Sequence, residues 1–143
     1  MKSSAVSLHL SLGVLLGFAA AAPPEAQAEI RASSKKGLGT KVNGVQGGSC
    51  HKGRCRISGG QRAGKNLFHR FRDFDTRGAI RDVRFQTGKA KNLFVGVTSP
   101  LGSFIDKRIA LSSKANLFWL SPGGMVLGSG ADFVNTPQLR LST

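Results

Sequence analysis

The sequence predicts an all-β fold, and within that class it favours a parallel β-helix (solenoid) over a β-sandwich. Three observations carry the prediction. The tripeptide Asn-Leu-Phe recurs at Asn66, Asn92 and Asn116, at spacings of 26 and 24 residues. From Asn66 onward, short apolar runs alternate with clusters of Gly, Ser, Asp, Asn and Pro. No stretch holds the roughly 3.6-residue hydrophobic period that a long amphipathic helix needs. Self-similarity at about 25 residues, with short strands and no helix, is the length of one coil in a stack of repeats.

The chain opens with a segment to be set apart from the fold. Lys2 precedes an apolar run from Ala5 to Ala22, and Ala26–Gln27–Ala28 supplies the small residues of a cleavage site. This is the pattern of a secretory signal peptide, residues 1–28. A membrane anchor is the alternative reading, but Pro23, Pro24 and the small-residue site favour cleavage. No stable membrane insertion is expected afterwards.

Residues 29–56 form a basic, Gly-rich leading segment. Within it, "KVNGVQ" places Asn43–Gly44 where a two-residue hairpin needs two positive-φ positions. Cys50 and Cys55 lie in "CHKGRC". Export makes a local disulfide the default for such a pair. A metal site is the alternative, because His51 sits between them, yet two thiols and one imidazole fall short of the four ligands of a structural zinc. No metal and no cofactor is expected.

The strands follow in order. "NLFHRFRDF" is the first long apolar run, and "IRDVRF" alternates with one slip at Asp82–Val83, as a half-buried strand with a bulge does. "NLFV" and "NLFWL" are apolar on consecutive residues, so both faces need cover. If the repeats are coils, each returns the chain one strand spacing higher, about 4.8 Å. Leu67, Leu93 and Leu117 then pile up in the core, and Phe68, Phe94 and Phe118 form a second column on the opposite face. Asn66, Asn92 and Asn116 stack near a corner, where amides bond along a ladder.

Charge bounds the partners. The formal net charge is +14, from 21 Lys and Arg against 7 acids. Such a field attracts polyanions and says nothing about fold. The densest basic stretch is Arg70, Arg72, Arg77, Arg81 and Arg84 with Lys65, Lys89 and Lys91, interleaved with Phe71, Phe74 and Phe85. Basic residues among aromatics can bind single strands of nucleic acid. For an exported chain, a cell-surface polysaccharide or lipid head group is the expected anion instead. The pattern favours a simpler reading still, a solvated strand face with its aromatics turned inward.

No catalytic constellation emerges. Asp73 and Asp75 could share a face as paired carboxylates do in hydrolases, but Arg72 and Arg77 beside them make ion pairs at a turn the better reading. His69 has no Ser or Cys neighbour in sequence, and Gly64–Lys65 lacks the frame of a phosphate loop. The chain is not expected to be an enzyme.

Two stretches resemble a known family. "GGQRAGKNLFHRFRDFDTRGAIRDVRF" and "KANLFWLSPGGMVLGSGADF" are similar to the N-terminal two-partner secretion domain of filamentous haemagglutinin-like exoproteins. Leu67, Phe68, His69 and Phe71 match its Leu-Phe-His-Ser-Phe motif, with Arg70 in place of Ser. Ala115, Asn116, Leu117 and Phe118 match its second motif. Pro122 and Gly124 match the following turn, where Ser121 replaces Asn, Met125 replaces Ile and Leu127–Gly128 replaces Phe-Gly. Between them Ser103, Ile105, Ile109 and Leu111 fall in similar places, with Lys107 where Gly is usual. The resemblance spans about Ile57 to Phe133.

The resemblance implies a right-handed parallel β-helix with short covering strands, occupying residues 57–143 and incomplete at its C-terminal end. It implies export to the surface of a Gram-negative-type bacterium. The implied partner is an outer-membrane transporter, whose periplasmic domains engage the chain while it is unfolded or partly folded. The candidate recognition residues are Asn66, Leu67, Phe68, His69, Phe71, Asn116, Ser121, Pro122 and Gly124. The competing expectation is a small secreted β-protein that binds polyanions through the basic stretch.

Overall fold

The computed structural model describes residues 28–35 and 37–143, so the expected signal peptide lies outside the described residues except for Ala28. Every regular element among the described residues is a strand. The leading segment contains β1 (Ile30–Ala32), β2 (Thr40–Val42), β3 (Val45–Gln46) and β4 (Ser49–Cys50). Next come β5 (Gly53–Gly59), β6 (Gln61–Ala63), β7 (Asn66–Asp75) and β8 (Ile80–Phe85). The second coil holds β9 (Asn92–Val97), β10 (Ser103–Ile105) and β11 (Arg108–Leu111). The third holds β12 (Asn116–Leu120), β13 (Met125–Leu127) and β14 (Asp132–Val134), and β15 (Leu139–Ser142) begins another.

These strands stack in parallel to make three ladders. The first runs through the N-terminal half of β7, then β9, β12 and β15. The second runs through the C-terminal end of β7, then β10 and β13. The third runs β5, β8, β11 and β14. The fold is therefore a parallel β-solenoid, and the β-sandwich is excluded.

Register explains the repeated tripeptide. Asn66, Asn92 and Asn116 are rung partners, as are Leu67, Leu93 and Leu117, and Phe68, Phe94 and Phe118. The leucines are fully buried, each contributing about 1.5–3 kcal/mol of apolar burial. The phenylalanine rings stack outside with centroids 4.9 and 4.6 Å apart. Unequal spacing is absorbed at the corners, where turns differ in length, so 26 and 24 residues both return the chain to register.

Inside the coils the filler is aromatic. Trp119 meets Phe74 edge-on at 4.6 Å, and Phe71 meets Phe74 at 5.1 Å. Edge-to-face pairs of this kind add roughly 0.5–1.5 kcal/mol beyond burial.

Two bulges shape the first coil. Opposite β1, Arg31 faces Asp73 while Ala32 faces Phe71, which leaves Arg72 as the extra residue. Its insertion resets the in-out alternation and lets one long strand serve two ladders. "IRDVRF" carries a slip, but earlier than the expected Asp82–Val83: Gly53 pairs with Ile80 and Arg54 with Asp82, leaving Arg81 over.

The start of the solenoid is closed by antiparallel strands. β6 and β1 pair with β7, β2 pairs with β5, and β3 and β4 pair with β2 and β1. Asn43 and Gly44 take φ of 49° and 82°, forming the expected hairpin. The leading segment therefore belongs to the same core, supplying Ile30, Ala32 and Val42. The division drawn after Arg56 runs through the middle of β5.

The other end is unlike this. β13, β14 and β15 carry no further pairing among the described residues. Val126, Leu139 and Leu141 there are 52%, 37% and 40% exposed, so apolar surface stands uncovered at that end.

Candidate recognition site

The candidate geometry centres on β7 and on the turn after β12. Along β7, alternation sends Leu67, His69 and Phe71 inward, and Asn66, Phe68 and Arg70 outward. Asn92 Nδ2 donates to Asn66 Oδ1 at 2.9 Å, and Asn116 Nδ2 donates to Asn92 Oδ1 at 3.1 Å. Each amide spans one rung, which its side chain can do only when the strands are parallel and in register.

His69 sits inside the first coil, 2% exposed. Its Nδ1 lies 3.1 Å from Thr40 Oγ1, which also accepts the Arg70 backbone N–H at 3.2 Å. Its Nε2 has no hydrogen-bond partner among the described residues. The ring packs edge-on against Phe85 at 5.6 Å. Burial holds its pKa down, to about 4 from an ordinary 6.5, so the ring is neutral at physiological pH. Gly60, at φ 86°, lies against the same ring, where a Cβ would strike the imidazole.

The turn at Ser121–Gly124 rests on a buried relay. Trp119 Nε1 donates to Ser103 Oγ at 3.1 Å, Ser103 Oγ donates to Ser121 Oγ at 2.9 Å, and Ser121 Oγ donates to the Gly124 carbonyl at 2.7 Å. Ser121 is thus fully buried and engaged where the resemblance expects Asn. Pro122 is exposed and Gly124 half-buried.

Beneath this turn lies another, Ser99-Pro100-Leu101-Gly102, closed by Gly102 N–H to Ser99 O at 3.0 Å. Gly102 takes φ 80° and packs so closely on Gly123 and Gly124 that a Cβ would collide with their backbone. Both turns have the form Ser-Pro-x-Gly. Their 22-residue separation, from Ser99 to Ser121, was the available signal that they stack. Two further corners were missed: Thr87 Oγ1 meets Ser113 Oγ at 2.8 Å, and Asp106 N–H donates to Thr76 Oγ1 at 2.8 Å.

Cys50 and Cys55 form a disulfide, which ties cap strand β4 to β5 at the foot of the third ladder. Asp75 pairs with Arg77 at 2.7 Å, and the Arg77 guanidinium lies 3.9 Å over the Phe104 ring. Asp73 lies 3.8 Å from Arg72. Among the described residues no group of three or more His, Cys, Asp or Glu is placed to hold a metal ion.

The basic stretch does not converge in space. Arg70 lies on the first ladder, Arg72 at the bulge, and Arg77 in the connection to β8. Arg81 and Arg84 face outward on the third ladder, while Lys89 and Lys91 are exposed in the turn before β9.

A parallel β-solenoid, capped at its start and held by side-chain ladders at its corners, defines a class of extended repeat proteins. Within that class the family is specific: residues 31–143 match the TPS secretion domain, and the chain belongs to that family. No match is found among curated proteins or among solved structures. Membership makes the chain a secretion-directing module of two-partner secretion, the exoprotein half of a pair whose other half is an outer-membrane transporter.

Proposed function

We propose that the domain delivers an adhesin- or haemagglutinin-like exoprotein to its transporter, and then nucleates solenoid folding outside the cell. The observation that carries this reading is the difference between the two ends. Antiparallel strands stop growth at the start on all three ladders. At the far end, among the described residues, β13, β14 and β15 are paired on one side only, and further coils can pair on the other.

Burial separates the recognition residues by folding state. Leu67, His69, Phe71 and Ser121 are inaccessible once the coils close. A transporter that reads them does so on unfolded chain. Asn66, Phe68, Asn116, Pro122 and Gly124 keep partial or full exposure and remain readable afterwards. Strand addition to the transporter's periplasmic domains suits the unfolded "NLFHRF" segment, because backbone pairing gives affinity while alternate side chains give selectivity.

The test is export with and without a co-expressed two-partner-secretion transporter. Extracellular protein is expected only with the transporter, and Pro122→Ala is expected to reduce it while leaving the thermal midpoint of the purified chain unchanged. Equal release without the transporter overturns the reading.

A further inference from the structure

The open end of the solenoid is marked by charge as well as by apolar surface. The chain there passes β13 on the second ladder, then β14 on the third and β15 on the first. Among the described residues each of these strands is paired on one side only. β14 carries Asp132, β15 carries Arg140, and β13 carries no charge.

The inward residues continue the core upward. Leu139 and Leu141 lie on the rungs above buried Leu117 and Trp119. Leu127 lies above buried Ile105, and Phe133 above buried Ile109. Leu127, Leu139 and Leu141 nevertheless remain exposed, as does outward-facing Val126.

The two charges are only partly used within the fold. Arg140 makes no ion pair or side-chain hydrogen bond among the described residues. Asp132 Oδ2 accepts from Arg108 Nε at 2.9 Å, which leaves Oδ1 as an acceptor.

We propose that this end is an interface for a second copy of the chain, docked end to end, with β13 against β13 and each β14 against the β15 of the other copy. Turning one copy over about a twofold axis across the end reverses its winding. Every edge strand then meets its mate antiparallel, and the contact is self-complementary. The axis can pass through any one ladder, which then pairs with itself while the other two exchange.

Charge chooses among these axes. An axis through the first ladder sets β15 against β15 and brings two arginines into one strand pair, where like charges destabilise. An axis through the third sets β15 against apolar β13 and leaves Arg140 without an anion. An axis through the second sets β14 against β15 twice, with the start of β14 beside the end of β15. Asp132 then falls opposite or diagonal to Arg140 of the other copy, within reach of so long a side chain. Inward, Phe133 meets Leu139 or Leu141, and two short cores become one.

The joint closes after two copies, because antiparallel strands occupy the other end of the solenoid. A net charge of +14 repels copies in general, so the match of signs selects this approach over others. The inference goes beyond the function proposed above and does not rest on it. A further coil uses the same strand edges and takes the place of the second copy. Export and self-association are measured separately, so failure of one leaves the other standing.

The test is the mass of the purified folded chain, read by analytical ultracentrifugation over about a hundredfold range of concentration. A monomer–dimer equilibrium is expected. Arg140→Glu sets two carboxylates together across the joint and is expected to weaken dimerisation about tenfold or more. Asp132→Lys is expected to do the same, and Asp132→Lys/Arg140→Glu, which restores opposite signs, to return within about threefold of the parent. Asp132 also holds Arg108, so Arg140→Glu alone decides the matter should the lysine variants fail to fold. A chain that stays monomeric at every concentration overturns the proposal and leaves the end to further coils or to a different protein. Assembly beyond two copies overturns it too. So does a dimer that Arg140→Glu leaves as tight as the parent, or a folded double variant no tighter than its singles.

Discussion

His69 is the residue whose burial has the plainest measurable result. It titrates near 6.5 when unfolded and near 4 in the core, so below about pH 6.5 the unfolded chain binds a proton that the folded chain refuses. Its contribution is complete above that pH and is lost as pH falls toward 4, up to about 3 kcal/mol in all. Chemical denaturation at pH 7 and pH 4.5 should therefore show a drop in stability that His69→Phe largely removes. An equal drop in both proteins would place the acid sensitivity elsewhere. The sequence marked His69 through its place in "NLFHRF", and strand alternation turns it inward beside Leu67 and Phe71. What could not be read was its neighbour. Thr40 reaches Nδ1 from a cap strand 29 residues away, and nothing in the spacing announces that contact.

The asparagine, leucine and phenylalanine ladders were legible because one short motif repeats without interruption, and parallel register turns sequence repetition into spatial adjacency. The asparagine ladder makes a graded prediction. Asn92 is the middle rung and takes part in two inter-rung bonds, whereas Asn116 takes part in one. At about 1 kcal/mol per bond, Asn92→Ala should cost roughly twice what Asn116→Ala costs in urea unfolding. Equal costs would mean that the amides bond independently to water. The other corners were illegible because they stack unlike residues. Thr87 lies under Ser112 and Ser113, and Leu101-Gly102 lies under Gly123-Gly124. Function there depends on small size and a hydroxyl or free backbone, which several residue types supply. The basic stretch is dispersed for a related reason. Neighbours in sequence around the first coil are carried to different ladders, while Arg56 and Arg84, far apart in sequence, become adjacent.

For the whole molecule, the antiparallel cap and the disulfide act together. The apolar points of the leading segment are few and its glycines many, which alone would leave it loosely tethered. It is instead cross-linked to the first coil, between β4 and β5. Closing so short a loop removes limited freedom from the unfolded chain, so Cys50→Ala/Cys55→Ala should lower unfolding free energy by about 2 kcal/mol. Hydrogen exchange should show the loss concentrated in β1, β2 and β4, with β9 and β12 unaffected. Uniform loosening along all coils would refute a local role for the cross-link. The position of the two cysteines has a consequence for passage through a membrane pore. They are only five residues apart, so oxidation pinches the chain into a small knuckle instead of tying distant segments into a wide lasso. A thread with one such knuckle stays narrow, and the covalent staple can be set on the near side of the membrane without barring the way across.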